Sequence, residues 1–383
     1  MMKDDLWTTL AMVLTTFALA ACSGGGDVEE GTGGTSAAND AGGMGGGGMG
    51  GAAGDPGDDP AAEADPAAPG PYRVGVCTSH AVDSDRNREM DIDVWYPVAA
   101  DAKDGTPNEY ELGGSFASLG KFPSPALRDA TPDVSRPWPA VLFSHGFGGV
   151  RFQSYFLTEQ LASHGFVVIA PDHPGNRIQD VSDLGNDAAV AQSAVDRPID
   201  MMFALELVEA GKACVEVELD PDRVGITGHS FGGWTTLETT RREPRMKAAF
   251  PLAPGFRSGA TPDMVEEISV PLLFFGGTED HTTPFDANQQ APYDLASAPK
   301  HLVRIEGAVH LDFSNLCDVA VAKAFIHDGC DPTKIEPKDV QSRVSTISTA
   351  FAHLYIAGHQ FHDAFLEPKS VTALGKLTYQ SER

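Results

Sequence analysis

The sequence is poor in basic residues. It contains 27 lysine and arginine residues against 54 aspartate and glutamate residues, which gives a formal net charge of −27 at pH 7. A surface this acidic repels phosphate backbones and other polyanions. The composition therefore argues against nucleic acid as a partner and against polyanionic substrates.

Cysteine is also scarce, with five residues in 383. Their spacing fits no zinc site, and we expect neither a metal nor a cofactor. With Cys22 set aside, the other four cysteines allow three disulfide connectivities. Cys317 and Cys330 are closest in sequence and bracket a predicted helix and turn, so they are the favoured pair if the chain is exported. A bond between Cys77 and Cys214 is possible, but no feature of the sequence argues for it.

The apolar run at residues 6–21 is too short to predict a membrane span. Small residues precede Cys22, and this pattern is typical of a bacterial lipoprotein signal in which the cysteine is lipidated. The alternative is an ordinary signal peptide with a coincidental cysteine, and the single basic residue at its start, Lys3, is fewer than such signals usually carry. We expect residues 1–22 to be a lipoprotein signal. The protein is then anchored by lipid in the bacterial cell envelope, at the outer membrane or cell surface, or secreted.

Residues 23–70 contain no aromatic residue and 17 glycines. Such a segment buries too little apolar surface to offset its ordering entropy, which predicts a disordered tether. The remaining residues, 71–383, show no second break in composition and no internal repeat. They predict a single domain, which we expect to be monomeric and to contact the membrane through the lipid anchor alone.

Strand and helix signals alternate from about residue 72 onward. Short apolar runs rich in β-branched residues alternate with segments whose apolar residues lie three and four apart. The predicted strands are 73–77, 91–98, 140–144, 166–170, 223–227, 248–252, 272–275 and 301–305, and the predicted helices are 153–164, 198–210, 318–326 and 340–356. This order predicts an α/β fold with a mostly parallel central sheet, helices on both faces and a ligand site at the carboxyl ends of the strands.

Residues 228–232 read Gly-His-Ser-Phe-Gly, between a predicted strand and a predicted helix. This arrangement is typical of a nucleophile elbow, in which the serine lies on a tight turn above the sheet and the following helix points its N-terminus at the site. An incidental turn is the alternative in a chain with 41 glycines. The strand before and the helix after favour Ser230 as a nucleophile.

A serine nucleophile needs a base and an acid that orients the base. Asp280 follows the predicted strand 272–275 and is the expected acid, with Glu279 as its competitor. His310 follows the predicted strand 301–305 and is the expected base. The order Ser, Asp, His is the one that α/β hydrolases use.

Two backbone N–H groups are expected to form an oxyanion hole. One belongs to Phe231, which directly follows the nucleophile. The other is assigned to Phe147, in the glycine-rich loop 145–149 after the predicted strand 140–144. Glycines there let the backbone approach a substrate carbonyl closely. His145 is expected to be a structural hydrogen-bonding residue of that loop.

These segments resemble α/β hydrolases. Residues 143–148 read Phe-Ser-His-Gly-Phe-Gly, residues 161–168 read Leu-Ala-Ser-His-Gly-Phe-Val-Val, and residues 171–176 read Pro-Asp-His-Pro-Gly-Asn. Together with the elbow they resemble platelet-activating-factor acetylhydrolase-like and predicted dienelactone hydrolase-type esterases and, more distantly, bacterial polyester hydrolases. The acetylhydrolase branch carries its aspartate after the strand that follows the elbow, where this chain has no acid. The resemblance therefore implies Asp280, the position that polyester hydrolases use.

The sequence thus predicts a serine esterase that hydrolyses carboxylic esters through an acyl-enzyme on Ser230. The substrate is expected to be a small-molecule or lipid ester, and the alternatives are a short-acyl phospholipid or a polyester. An alternative of another class is a surface-tethered binding protein without catalysis on a hydrolase scaffold.

Overall fold

The structure is a computed structural model that describes residues 59–112, 120–256, 260–318, 329 and 334–383. The predicted signal peptide, Cys22 and most of the predicted tether lie outside the described residues. Cys330 and most of the helix predicted at 318–326 lie outside them as well.

The described residues contain one sheet of eleven strands. The strands are β1 (Val74–Asp83), β2 (Arg88–Pro97), β3 (Thr106–Glu111), β4 (Lys121–Arg128), β5 (Trp138–Ser144), β6 (Val167–Pro171), β7 (Leu219–His229), β8 (Met246–Leu252), β9 (Leu272–Gly277), β10 (Lys300–Ile305) and β11 (Leu377–Glu382). Their order across the sheet is β11-β10-β9-β8-β7-β5-β6-β2-β1-β4-β3. Every neighbouring pair from β10 to β6 is parallel, and antiparallel pairs lie towards the two edges. The predicted mostly parallel sheet is confirmed.

Helices cover the two faces of this sheet. They are α1 (Tyr155–Ser163), α2 (Val181–Leu184), α3 (Asp187–Glu209), α4 (Phe231–Arg242), α5 (Ala291–Leu295), α6 (Pro337–Ala352) and α7 (Pro368–Thr372). Short 3-10 or π segments occur at Pro262–Glu267, Asp286–Gln290, His310–Phe313, Asn315–Asp318, His353–Ala357 and Gln360–Leu366. In the part of the chain that the structure describes, no helix is long and apolar enough to cross a membrane.

The hydrophobic core forms two layers, one on each face of the sheet. Along β5, Val141 and Phe143 belong to the layer that contains α1 and α6, whereas Ala140 and Leu142 belong to the layer that contains α3. Successive side chains of a strand point to opposite faces, so a strand covered on both sides must be apolar at every position. This explains why β5 and β6 are continuous apolar runs in the sequence.

Three strands of the sheet were not predicted. β11 and β3 are its two edge strands, and β4 lies beside β3 and pairs with β1 only through Leu127 and Arg128. β3 and β4 form a hairpin whose sequence contains prolines and charged residues, and β11 alternates between half-buried or buried and exposed positions. Edge strands tolerate proline and polar residues because one side of the backbone needs no ladder partner. Such strands lack the apolar run that made the central strands recognisable.

Residues 59–70, which the sequence assigned to the tether, pack on the domain. Ala61 is fully buried, and the Gly70 amide donates to the Ser163 hydroxyl over 2.9 Å. The Tyr72 hydroxyl donates to Asp59, also over 2.9 Å. Residues 59–70 therefore make contacts with the domain, although the sequence assigned them to the tether. Composition did not reveal this because the partners, such as Ser163 and Tyr72, lie outside the segment.

The structure contains a disulfide between Cys77 on β1 and Cys214 in the loop before β7. The two residues are 137 positions apart, so sequence proximity could not indicate their pairing. Cys317 is buried and is also disulfide-bonded. Because Cys330 lies outside the described residues, the predicted Cys317–Cys330 bond stays a prediction.

Candidate active site

Ser230 lies in the turn between β7 and α4, with φ 59° and ψ −117°. Positive φ is costly for a residue with a side chain and persists where the surroundings hold it. The flanking glycines allow the turn to close. A Cβ at Gly228 would lie 2.5 Å from the Gly232 oxygen, and one at Gly232 would lie 1.9 Å from the Ser144 oxygen. The geometry is that of a nucleophile elbow, and it requires glycine at both positions.

The structure brings Ser230, His310 and Asp280 together. His310 follows β10, and its Nε2 lies 2.9 Å from the Ser230 Oγ. Asp280 follows β9, and its Oδ2 lies 2.8 Å from the His310 Nδ1. Ser230 is 9% exposed, and the other two residues are 4% exposed. The three predicted residues thus form a connected hydrogen-bonded chain that leads from the interior to the rim of the elbow.

The surroundings of Asp280 keep its carboxylate ionised. Burial opposes ionisation, but the neighbouring His310 and the hydrogen bonds from Thr283 outweigh it and hold the pKa of Asp280 below its ordinary value. Thr283 donates to the carboxylate through its amide over 2.7 Å and through its hydroxyl over 2.8 Å. An ionised carboxylate accepts hydrogen bonds only, so His310 donates to it from Nδ1, and in the neutral ring this leaves Nε2 as the acceptor that faces Ser230. This is the tautomer that a general base needs.

The competing acid, Glu279, pairs with a lysine rather than with His310. Its carboxylate forms an ion pair of 3.0 Å with Lys334 and is partly exposed. His301, another late histidine, lies at the start of β10 and contacts the hydroxyls of Tyr355 and Tyr379. The contacts of these residues therefore leave Asp280 and His310 as the partners of Ser230.

The two predicted oxyanion donors lie at the ends of neighbouring parallel strands. Phe147 belongs to the loop after β5, and Phe231 is the first residue of α4. The ring centroids of these two phenylalanines are 6.4 Å apart. The first N–H groups of a helix have no acceptor within the helix, and they point towards its N-terminus and the elbow. The donor roles themselves remain a prediction.

His145 is buried and bonds within its loop, as expected for a structural residue. Its Nδ1 lies 2.7 Å from the Gly146 oxygen, and its Nε2 accepts from the His173 amide over 3.1 Å. Burial and the nearby charge of Arg197 hold the pKa of His145 well below its ordinary value, so the ring stays neutral. Both ring nitrogens are occupied, which leaves neither for a second base.

Sequence reasoning missed two residues behind the base, Gln153 and His229. The His229 Nε2 lies 2.9 Å from the His310 backbone oxygen, and its Nδ1 lies 2.6 Å from the Gln153 Nε2. Burial and the nearby His310 lower the pKa of His229 to about 3, so it is neutral. The Gln153 oxygen in turn accepts from the Gly146 amide over 3.0 Å. These contacts join the loop of the base to the loop of the first oxyanion donor, and no local motif marks Gln153 for this position.

A small apolar cluster lies beside the elbow. It contains Phe147, Leu184, Phe231 and Trp234, all nearly buried, with Phe256 and Met264 packed against it. The Phe231 and Trp234 rings stack with centroids 5.3 Å apart. The cluster includes both residues whose N–H groups are the expected oxyanion donors, so it adjoins the site. Within the described ranges, no group of three or more histidine, cysteine, aspartate or glutamate side chains could hold a metal ion.

The sheet, the elbow and the order Ser, Asp, His define an α/β hydrolase with a serine-centred triad geometry. A family model described as PETase, PET hydrolase-like, matches residues 131–327, just over half of the chain. The chain belongs to this PET hydrolase-like family. The matched region includes Ser230, Asp280, His310 and the loop with Phe147.

Similar curated proteins include cutinases and an acetylhydrolase. Cutinase est2 of Thermobifida alba is 32% identical over 186 residues, which cover 47% of this chain and 55% of that protein. Cutinase est1 of the same organism is 29% identical over 181 residues, covering 47% of this chain and 55% of that protein. Platelet-activating factor acetylhydrolase of Bos taurus is 25% identical over 303 residues, covering 65% of this chain and 67% of that protein. The chain thus spans about half the length of the cutinases that it matches.

Proposed function

We propose that the protein is a serine esterase that hydrolyses carboxylic esters through an acyl-enzyme. The observation that carries this proposal is the continuous chain of hydrogen bonds from the Ser230 hydroxyl through His310 to Asp280. Membership of a PET hydrolase-like family and similarity to proteins named cutinase and acetylhydrolase support the same reaction class. The alternative, a binding protein without catalysis, does not account for this hydrogen-bonded arrangement of serine, histidine and aspartate.

The first half of the reaction forms the acyl-enzyme. The Ser230 Oγ attacks the ester carbonyl carbon while its proton passes to the His310 Nε2, and the carbonyl oxygen takes the negative charge. The backbone N–H groups of Phe147 and Phe231 stabilise that oxyanion. When the tetrahedral intermediate collapses, the bond to the alcohol oxygen breaks and His310 returns the proton to this leaving group. Asp280 stabilises the imidazolium that exists between the two proton transfers.

The second half hydrolyses the acyl-enzyme. A water molecule gives a proton to the His310 Nε2 as its oxygen attacks the acyl carbon, and the same oxyanion site receives the charge. Collapse breaks the bond to Ser230, which regains its proton from His310, and releases the carboxylic acid. The scheme requires no cofactor, because every proton has a donor and an acceptor within the triad.

The experiment compares the wild-type protein with Ser230→Ala on p-nitrophenyl acetate. We expect the wild type to turn over this ester and Ser230→Ala to lose on the order of 10³-fold or more in kcat. A fluorophosphonate probe should label the wild type at Ser230, as mapped by peptide mass spectrometry. Thr239→Val, a buried change two turns along the same helix, is the matched control. Absence of hydrolysis by folded wild type, or labelling at another residue, overturns the proposal.

Polyesters are a second candidate substrate class, and the PET hydrolase-like family match favours them. Short-acyl phospholipids compete, because one relative is named platelet-activating factor acetylhydrolase. The apolar cluster beside the elbow suits both. Soluble product released from a polyester film, measured against acetate released from an acetylated phospholipid at equal enzyme concentration, separates them. Activity on p-nitrophenyl acetate with neither product would restrict the protein to small esters.

We further propose that the mature protein is exported and attached to the membrane by lipid on Cys22. The support is the apolar run at residues 6–21 with small residues before the cysteine. In Cys22→Ser we expect active enzyme to move from the membrane fraction to the soluble fraction, whereas Ser23→Ala should stay with the membrane. Intact-mass analysis of the membrane-bound protein should show the added acyl groups, and an unmodified Cys22 there contradicts this proposal.

A further inference from the structure

A second Ser-His-Asp arrangement lies behind the loop that carries Phe147. The Ser144 Oγ is 3.0 Å from the His173 Nε2, and the His173 Nδ1 is 3.0 Å from the Asp200 Oδ2. These distances resemble those of the first set. Ser144, His173 and Asp200 are at most 1% exposed, however, so no substrate can reach this serine. A fully buried polar set of this kind acts on its surroundings rather than on a ligand.

Arg197 connects this buried set to the active site. It lies on α3, three residues before Asp200, and it is fully buried. Its Nη2 donates to the Ser144 hydroxyl over 3.0 Å and also to the His145 backbone oxygen. The Ser144 hydroxyl can therefore accept from Arg197 and donate to His173, which leaves both groups satisfied.

The same guanidinium also contacts the segment of the second oxyanion donor. Its carbon lies 4.6 Å from the centroid of the Phe231 ring. Its Nε donates to the Thr235 hydroxyl over 2.9 Å, and that hydroxyl donates to the Phe231 backbone oxygen over 2.9 Å. Arg197 thus contacts the segment just before Phe147 on one side and the first turn of α4 on the other. Its Nη1 donates to Asn176 over 2.8 Å, which fixes the plane of the group.

The charge of Arg197 is retained in this buried position. Burial lowers its pKa to about 9, and Asp200 opposes that fall, so the group is protonated at neutral pH. Burial and the neighbouring arginines hold the pKa of His173 well below its ordinary value, so this ring is neutral. Asp200 is paired with Arg86 over 2.8 Å and with Arg88 over 2.9 Å. The side-chain polar atoms of Ser144, His173, Arg197 and Asp200 all have hydrogen-bond partners, and such networks hold their members in one arrangement.

We propose that Arg197 is a positioning residue that sets the distance between the two oxyanion donors, and that Ser144, His173 and Asp200 hold the loop of the first donor against it. This inference rests on the proposed esterase function. A planar guanidinium suits the task because its five N–H groups form a fixed fork that can bond in several directions at once. Arg197 touches neither the substrate nor the reacting atoms.

The experiment measures kcat and KM of Arg197→Met and Arg197→Lys on p-nitrophenyl acetate, together with inhibition by phenylboronic acid. The boronate forms a bond to the serine oxygen and becomes a tetrahedral anion, so its affinity reports on the oxyanion site. We expect kcat to fall by about 10-fold or more in both variants, with KM within about threefold. The inhibition constant of the boronate should rise by a similar factor. Lysine keeps the charge but lacks the fork, so it should not restore kcat.

Arg128→Met is the matched control, because Arg128 also bonds through its guanidinium to side chains, Thr78 and Asn108, but lies on β4. It should keep the wild-type kcat and boronate affinity. A folded Arg197→Met enzyme with kcat within twofold of wild type overturns the inference, and so does full recovery in Arg197→Lys. If the wild type itself hydrolyses no ester, the proposed function fails instead, so the two failures are distinguishable.

A conservative pair of variants tests the same inference if Arg197→Met does not fold. Thr235→Val removes the hydroxyl that lies between Arg197 and Phe231, whereas Thr239→Val changes a buried threonine one turn further along α4. We expect Thr235→Val to lower kcat and boronate affinity together, and Thr239→Val to change neither. Equal kinetics of the two variants overturn the positioning role.

Discussion

At the scale of single residues, Asp280 and Glu279 are neighbours with different surroundings. Asp280 is buried, accepts from His310 and Thr283, and has a pKa below the ordinary value because these partners outweigh the effect of burial. Glu279 is partly exposed and pairs with Lys334. The sequence alone could not fully separate two adjacent acids after the same strand, whereas their hydrogen bonds do.

Asp280→Asn should lower kcat by about 10³- to 10⁴-fold with little change in folding. An asparagine amide can donate to the His310 Nδ1, which places the ring proton on Nε2 and removes the acceptor that Ser230 needs. Glu279→Gln is the adjacent control and should stay within about threefold of wild type. Steady-state kinetics on p-nitrophenyl acetate check both, and the reverse ranking would move the acid by one residue.

The grouping of Ser230, His310 and Asp280 was predictable because each residue follows a recognisable apolar strand and the chain order is characteristic. Gln153 and His229 were not, since their role depends on contacts between residues 76 positions apart. The second Ser-His-Asp set was hidden for the same reason. Its three members lie on three different segments, and only the folded chain brings Ser144, His173 and Asp200 together.

At the scale of secondary-structure elements, a buried polar network ties the β3–β4 hairpin to helix α1. The Trp95 Nε1 donates to the Tyr110 hydroxyl over 2.7 Å, which donates to the Glu159 carboxylate over 2.6 Å. Burial raises the pKa of Glu159 to about 6, although hydrogen bonds to its carboxylate oppose the rise. The hairpin is thus attached to α1 through Glu159, whose carboxyl group titrates near pH 6.

Glu159→Gln should stabilise the protein at pH 8 and have a smaller effect at pH 5. The folded-state pKa of Glu159 lies above its unfolded value, so ionisation favours unfolding as the pH rises through this window. The rise of the Glu159 pKa from 4.5 to about 6 corresponds to a destabilisation of about 2 kcal/mol at high pH. Glutamine removes this effect while its oxygen still accepts from Tyr110. Urea denaturation at the two pH values measures the difference.

Glu109→Gln, an exposed change on β3 of the same hairpin, provides the control for that experiment. Its effect on the free energy of unfolding should be small at both pH values. If Glu159→Gln destabilises the protein equally at pH 5 and pH 8, the acid contributes through its hydrogen bond rather than through its ionisation.

Among the elements, the central strands were predictable and the edge strands were not. β5, β6, β8, β9 and β10 contribute apolar residues to both core layers, and this pattern is visible in the sequence. β3, β4 and β11 owe their place to pairing with a neighbour, and their polar sequences resemble loops. The long helix α3 was predicted from residue 198, but it begins at Asp187. Its first turns contain several exposed and half-buried positions and carry a weak apolar pattern.

At the scale of the whole molecule, residues 59–70 pack on the domain although their composition is typical of a flexible tether. Asp59 pairs with Arg136 over 3.1 Å and accepts from Tyr72, and the Ala68 oxygen lies 2.7 Å from the Gln160 side-chain nitrogen. These contacts join the segment to α1, to the residues before β1 and to the loop before β5. In a chain with a net charge of −27, an ion pair such as the one between Asp59 and Arg136 offsets part of the repulsion among the acidic residues.

A chain that starts at Asp59 should be as stable as the full mature protein, whereas a chain that starts at Pro71 should be less stable by about 1–3 kcal/mol. The shorter chain loses the Asp59 ion pair, the buried Ala61 and the Gly70 hydrogen bond. Both should keep the wild-type kcat on p-nitrophenyl acetate, since no active-site residue lies in the removed segment. Thermal unfolding and kinetics check these expectations, and equal stability of the two chains contradicts them.

The disulfide between Cys77 and Cys214 closes a covalent ring around residues 78–213. This ring contains Phe147 and Arg197, while Ser230 lies outside it. A protease that cuts the backbone once inside the ring therefore leaves two fragments that remain joined, and the loop of the first oxyanion donor stays attached to the part with the nucleophile. Such a nicked enzyme runs as one species on a non-reducing gel and separates after reduction. Outside a cell, where proteases are common and thiols are scarce, this ring would let a cut molecule keep its parts in place.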